Sequence, residues 1–116
     1  MTLQGQNLSV SQVLSRIQMV QKMQKLNDPK FREYHETIYN DGVWKIDMEM
    51  FMISDTIRFW ISREDAYGNY LNSAFTMYVK DDGTVRYLAN YQIKKSIVEK
   101  MKRICLALHK AGIGNF

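Results

Sequence analysis

The sequence predicts one α+β domain in the order ααββββα: an antiparallel four-stranded meander packed on one face by two N-terminal helices and a basic C-terminal helix. Three observations lead there. Apolar residues recur at helical intervals before Asn40 and again after Ile93, and at every second position in between. The turn sequences Asn40-Asp41-Gly42 and Asp81-Asp82-Gly83 punctuate the middle stretch. A chain of 116 residues with 46% hydrophobic content is long enough for one core and too short for two, so residues 1–116 are expected to form a single domain.

In the first helix Val10, Val13, Leu14, Ile17, Val20 and Met23 share a face. Ser9 and Gln12 have the spacing of a capping box, and Leu8 and Val13 can close over it as a hydrophobic staple. Asn27-Asp28-Pro29 interrupts the pattern. Proline loses nothing in a first turn and Asp28 can cap the free amides there, so a second helix is expected from Pro29 to Tyr39, with Phe31, Tyr34, His35 and Ile38 inward. Asn40-Asp41-Gly42 ends it with residues that tolerate positive φ.

From Val43 the period is two: Trp44, Ile46, Met48, Met50 and Met52 alternate with Lys45, Asp47, Glu49 and Phe51. Next, Ile57, Phe59 and Ile61 alternate with Arg58, Trp60 and Ser62. A hairpin turning at Ser54-Asp55 pairs Met52 with Ile57, Met50 with Phe59, Phe51 with Arg58 and Lys45 with Glu64. Ser-Asp suits a two-residue turn poorly, so a longer loop is the alternative. Residues 63–72 are polar and aperiodic and are expected to form a loop. In the second hairpin a three-residue loop, Asp81-Asp82-Gly83, sets Val79 opposite Val85 and Met77 opposite Tyr87, which keeps the core on one side. Ile93, Ile97, Met101, Ile104, Cys105 and Leu108 then form the buried stripe of the last helix, and Gly112-Ile113 fits a Schellman ending.

Catalytic constellations are missing from this pattern, and a non-enzymatic protein without cofactor or metal is expected. His35 and His109 lie on separate predicted elements with no second ligand at i+4. Cys105 falls in the apolar stripe, the place of a structural thiol rather than a nucleophile. Asp47 and Glu49 share a strand face and read as a solvated surface. The Asp81-Asp82-Gly83 turn lacks the later acidic ligands of a calcium loop. Met48, Met50 and Met52 offer either an adaptable binding surface or a soft core, and their partners across the hairpin favour the core.

Two surfaces remain. The sheet face opposite the core carries Phe51, Arg58, Trp60, Thr76, Tyr78, Lys80 and Arg86. Such rings and cations suit the stacking of bases and the holding of phosphate, or a protein interface anchored on Phe51, Trp60 and Tyr78; a covering helix is the third reading. The last helix is the sharper signal. Between Ile93 and Gly112 stand six of sixteen basic residues and one of twelve acids, a charge of +5 against −1 for the remainder. Lys102, Arg103, His109 and Lys110 suit the negative end of the helix dipole, but Lys94 and Lys95 sit in the first turn, where positive charge is unfavourable.

The order of a helix, an antiparallel meander and a basic last helix that begins Lys94-Lys95 resembles the double-stranded-RNA-binding domain, which implies phosphate contacts at those two lysines. This chain differs from that family by an extra helix and an extra strand, and it lacks the family's small-residue-rich last helix. Residues 79–101 look like the hairpin-then-helix half of some small anti-CRISPR proteins, which implies a phage-like inhibitor that blocks a partner's surface. Those inhibitors are acidic mimics of DNA, whereas this helix is basic.

The expected function is therefore contact with nucleic acid or another polyanion through Lys94, Lys95, Lys102 and Arg103, helped by Arg58 and Arg86. The alternative is a protein-interaction module, self-associating or inhibitory, that uses Phe51, Trp60 and Tyr78. Residues 1–12 have neither a basic start nor an apolar run, so no signal peptide or membrane span is expected; with Cys105 alone, the setting expected is cytoplasmic and reducing.

Overall fold

The computed structural model describes residues 7–54 and 56–114. It is an α+β domain: helix α1 (Val10–Lys25), a 3-10 turn (Pro29–Phe31), strands β1 (Glu33–Asn40), β2 (Trp44–Phe51), β3 (Thr56–Glu64), β4 (Tyr70–Val79) and β5 (Val85–Leu88), and helix α2 (Lys95–Lys110). The strands form one antiparallel five-stranded sheet in chain order. Burial alternates strictly along β2, so only one face of the sheet is covered. Both helices supply that cover, and Ile17, Met48, Phe59, Met77, Met101 and Leu108 lie at the centre of the shared core. The helices run in the same direction. Lys100 Nζ donates to the carbonyl of Leu8 just before α1, while at the far end Gln24 and Lys25 line a hollow with Gly112 and Ile113.

Several local expectations hold. The Ser9 hydroxyl accepts from the Gln12 amide and the Gln12 side chain accepts from the Ser9 amide, which completes the capping box of α1. At the end of α2 the Ile113 amide donates to Leu108 and that of Gly112 to His109, with Gly112 at φ +77°, the two bonds of a Schellman motif. The second hairpin has Val79 opposite Val85, Met77 opposite Tyr87 and Gly83 at φ +86°.

The expected second helix, Pro29 to Tyr39, is instead a single 3-10 turn followed by β1. The sheet thus has five strands rather than four, and one helix rather than two precedes it. Asp28 does cap, accepting from the Lys30 amide at 3.0 Å, but the helix goes no further. The interval of four between Tyr34 and Ile38 puts both on one side in a helix and also in a strand. Pairing decides. β1 takes up the free edge of β2 along its whole length, with a bulge between Thr37 and Tyr39, and Glu36, which then points toward α1, is neutralised by Arg16 and bonded by the Tyr34 hydroxyl at 2.8 Å. His35 consequently faces away from the core.

The first hairpin is shifted by two from the expected register: Met50 faces Ile57, Met48 faces Phe59, Phe51 faces Thr56, Glu49 faces Arg58 and Lys45 faces Ser62. A shift of two leaves every side chain on its expected face. The connection is longer than Ser54-Asp55; it begins at Met52, whose amide donates to Arg32 at 2.9 Å, and Asp55 lies outside the described residues. The expected loop at 63–72 shrinks to a turn between Glu64 and Tyr70, in which Asp65 Oδ1 accepts from the amides of Tyr67 and Asn69 and Gly68 takes φ +82°. Arg63 and Leu71 on its flanks are strand residues paired with each other.

Asp41 organises the β1–β2 turn. Burial alone pushes its carboxyl up, but the Trp44 and Val43 amides and the Tyr39 hydroxyl together hold it below the usual value of 3.8. A carboxyl depressed in the folded state stabilises above its ordinary value, and that contribution is lost as pH falls through the folded value. Asp41→Asn is accordingly expected to flatten the acid limb of the stability curve below the ordinary carboxylate range. Urea melts across that range compare the two proteins.

Candidate functional site

Of the four helix cations named from sequence, Lys95, Lys102 and Arg103 lie on the outer side of α2, and Lys94 precedes its first turn. Lys94, Lys95 and Arg103 are exposed, and Lys102 is partly exposed with Glu99 4.0 Å away. Lys94 and Lys95 stand at the start of the helix: Lys94 is the N-cap residue, its side chain makes no capping bond, and no acid occupies the first turn. Lys100, counted in the +5, is withdrawn from this set. Its amine donates to Leu8 at 2.7 Å over the Tyr39 ring, and burial, with Arg103 nearby, lowers its pKa below the ordinary lysine value.

Arg58, Arg86, Phe51, Trp60 and Tyr78 lie on the opposite, uncovered face of the sheet. Arg58 is across from Glu49 and Trp60 from Asp47, while Tyr78, 46% exposed, pairs with Arg86 on β5. The sheet and the core separate these arginines from the α2 cations, so one flat ligand does not meet both sets. The open face also holds groups that sequence placed elsewhere. A concavity of about 530 Å³ is lined by His35, Thr37, Asp47, Glu49, Trp60 and Asn72, among others. Within it Thr37 donates to Asp47 at 2.5 Å, Lys45 is 3.7 Å from Asp47, and His35 is 3.5 Å from Glu49 with its ring edge-on to Phe51. The carboxylates here are matched by neighbours and do not form a strained pair.

Trp60 is half-buried on this face, flanked across the strands by Asp47 and Ala74. Trp60→Ala is expected to cost about 1 kcal/mol or less, the scale of a cross-strand surface contact. A thermal melt measures it, and a loss on the scale of a core truncation, about 3–5 kcal/mol, would mean that the face is covered.

The thiol and the two histidines do not come together. Cys105 is buried, which pushes its thiol up to about 11 and keeps it protonated at neutral pH. His109 is exposed at the end of α2, away from the open sheet face that carries His35, and no group of three metal-ligating side chains forms among the described residues. None of the described helices is long and apolar enough to cross a membrane.

One cluster escaped sequence reasoning. At the start of α2 a crevice is bordered by Trp44, Arg63, Leu71, Tyr91, Lys94 and Lys95. The alternation Ile57, Phe59, Ile61 continues to Arg63, so a strand extended by two residues would have placed this arginine on the helix side. Its polar neighbours disguised it as loop.

Comparison of the chain with protein-family models, with characterised proteins and with solved structures found no match.

Proposed function

We propose that this protein is a small non-enzymatic binding domain that contacts nucleic acid, or a polyanion like it, through the outer face of α2 in an intracellular, reducing setting. The observation that carries the proposal is the exposure of Lys94 and Lys95 at the start of α2 and of Arg103, beside the partly exposed Lys102, two turns further along, with Glu99 as their one ion-pair partner among the described residues. Lysines at a helix start oppose the dipole, a cost that an external anion removes. Arg58 and Arg86 open onto the other side and contribute nothing to this surface. Affinity for single-stranded and duplex oligonucleotides should fall steeply with salt, by about 0.9 in log K per log [salt] for each duplex phosphate neutralised. Undetectable binding at low salt to both ligands would end the proposal.

A second function is favoured by a separate observation: the uncovered sheet face presents Phe51, Trp60 and Tyr78 with Arg58 and Arg86, a composition typical of protein interfaces. A self-associating module, or an inhibitor that blocks a partner's surface, would use it. Light scattering of the purified chain separates the two. A dimer broken by Trp60→Ala supports the sheet-face interface, whereas a monomer that binds oligonucleotide supports α2.

A further inference from the structure

We infer that the crevice at the start of α2 seats a phosphate group, a reading that rests on the α2 proposal for its source, the nucleic-acid backbone. The crevice holds about 430 Å³ and brings together three cations, Arg63, Lys94 and Lys95, from a strand end and a helix start. None of the three forms an ion pair among the described residues. Asp41, the carboxylate whose charge is felt at Lys94, already accepts from two amides and the Tyr39 hydroxyl.

Arg63 is held in place. Its guanidinium lies 5.5 Å from the centre of the Trp44 ring, that ring stacks on Tyr91 at 6.3 Å, and the Tyr91 hydroxyl donates to the carbonyls of Ile61 and Leu71 at 2.8 and 3.2 Å. Its Nε is buried without a hydrogen-bond partner. That atom is closed to solvent, so a ligand in the crevice is met by the terminal amino groups of the guanidinium, whose parallel N–H groups match two oxygens of one phosphate. The helix start adds to this. With no capping side chain and no first-turn acid, the start of α2, which borders the crevice at Lys94 and Lys95, keeps its partial positive charge. A guanidinium, two exposed ammonium groups and a helix start thus border one crevice from different elements, and none of the three cations has an ion-pair partner within 4 Å among the described residues, the Asp65 carboxylate acting on Arg63 from farther off.

The test follows the amides of Lys95 and Ser96 by NMR on the full chain during titration with inorganic phosphate and pyrophosphate. Saturable shifts are expected, weakened about tenfold in a Lys94→Gln, Lys95→Gln double variant, as loss of a charge-assisted hydrogen bond implies. Both lysines are exposed, so that variant keeps the fold. Arg63→Lys, which keeps the charge and loses the fork, should weaken pyrophosphate binding as well. A single-stranded oligonucleotide that displaces pyrophosphate from the same amides supports both the seat and its source. Pyrophosphate binding without any oligonucleotide binding keeps the seat and removes the nucleic-acid proposal. Oligonucleotide binding that depends on Lys102 and Arg103 but leaves Lys95 and Ser96 unmoved overturns the seat and spares the proposal. Poly-glutamate that shifts these amides as strongly as pyrophosphate overturns it too, because the crevice would then be a carboxylate site for an acidic partner.

Discussion

Phe59→Ala is expected to destabilise the fold by about 3–5 kcal/mol, a large share of the roughly 5–15 kcal/mol that holds a domain of this size together. Phe59 is 2% exposed at the middle of β3, between Met48 on β2 and Phe75 on β4, and Phe75 in turn stacks on Tyr87 of β5 at 4.9 Å. Truncation to alanine removes the ring from the layer that joins three strands to the helices and leaves a cavity that the paired backbone cannot close. Urea denaturation should show a lower midpoint with an unchanged slope. The neighbouring residue is the control. Trp60, a larger side chain one position along the same strand, points to the uncovered face, so its truncation should cost a fraction as much. Equal losses at the two positions would contradict a sheet covered on one side.

Replacing Lys94, Lys95, Lys102 and Arg103 together by glutamate is expected to abolish polyanion binding at physiological salt while leaving the fold intact. If each cation neutralises one phosphate, the slope of log K against log [salt] on duplex DNA flattens by about 3.6. The stability change is a balance of small terms. Glutamate at position 95, in the first turn of α2, meets the positive end of the dipole and should stabilise by about 0.3–1 kcal/mol at low salt, whereas the exchange at Lys94 brings a carboxylate toward Asp41 and that at Lys102 gives up the contact with Glu99. Oligonucleotide titrations beside thermal melts read both quantities. Binding that survives the fourfold exchange would move the search to the sheet face, where Arg58 and Arg86 remain.

The elements whose signals are local were legible in the residues. Ser9 and Gln12 specify the start of α1 because the capping box closes within one turn, and Gly112 with Ile113 specifies the end of α2 for the same reason. The Asp81-Asp82-Gly83 turn and its register were readable because a loop one residue shorter would have put polar and apolar side chains on the same face. The same logic placed Trp60 and Phe59 on opposite faces without knowledge of the partner strands. The helix cations were readable as a count, since charge does not depend on packing.

Tertiary structure decided what local periodicity leaves degenerate. Tyr34 and Ile38 satisfy a helix and a strand alike, and the free edge of β2 selected the strand; that choice turned His35 outward beside Glu49 and made the sheet five-stranded. The β2–β3 hairpin slid by two residues because a two-residue slip preserves both faces, so hydrophobic pattern alone does not resolve it. The crevice at the start of α2 was invisible for a related reason: Trp44, Arg63 and the stretch from Tyr91 to Lys95 come from three distant parts of the chain, and only strand pairing and helix docking bring them together. Lys100 shows the converse. Sequence counts it with its fellow lysines, but the approach of Leu8 and Tyr39 buries its amine and takes it out of the exposed set. Composition determined how much charge this protein carries; packing determined which of that charge faces a partner, because exposure is a property of neighbours that the chain acquires when it folds.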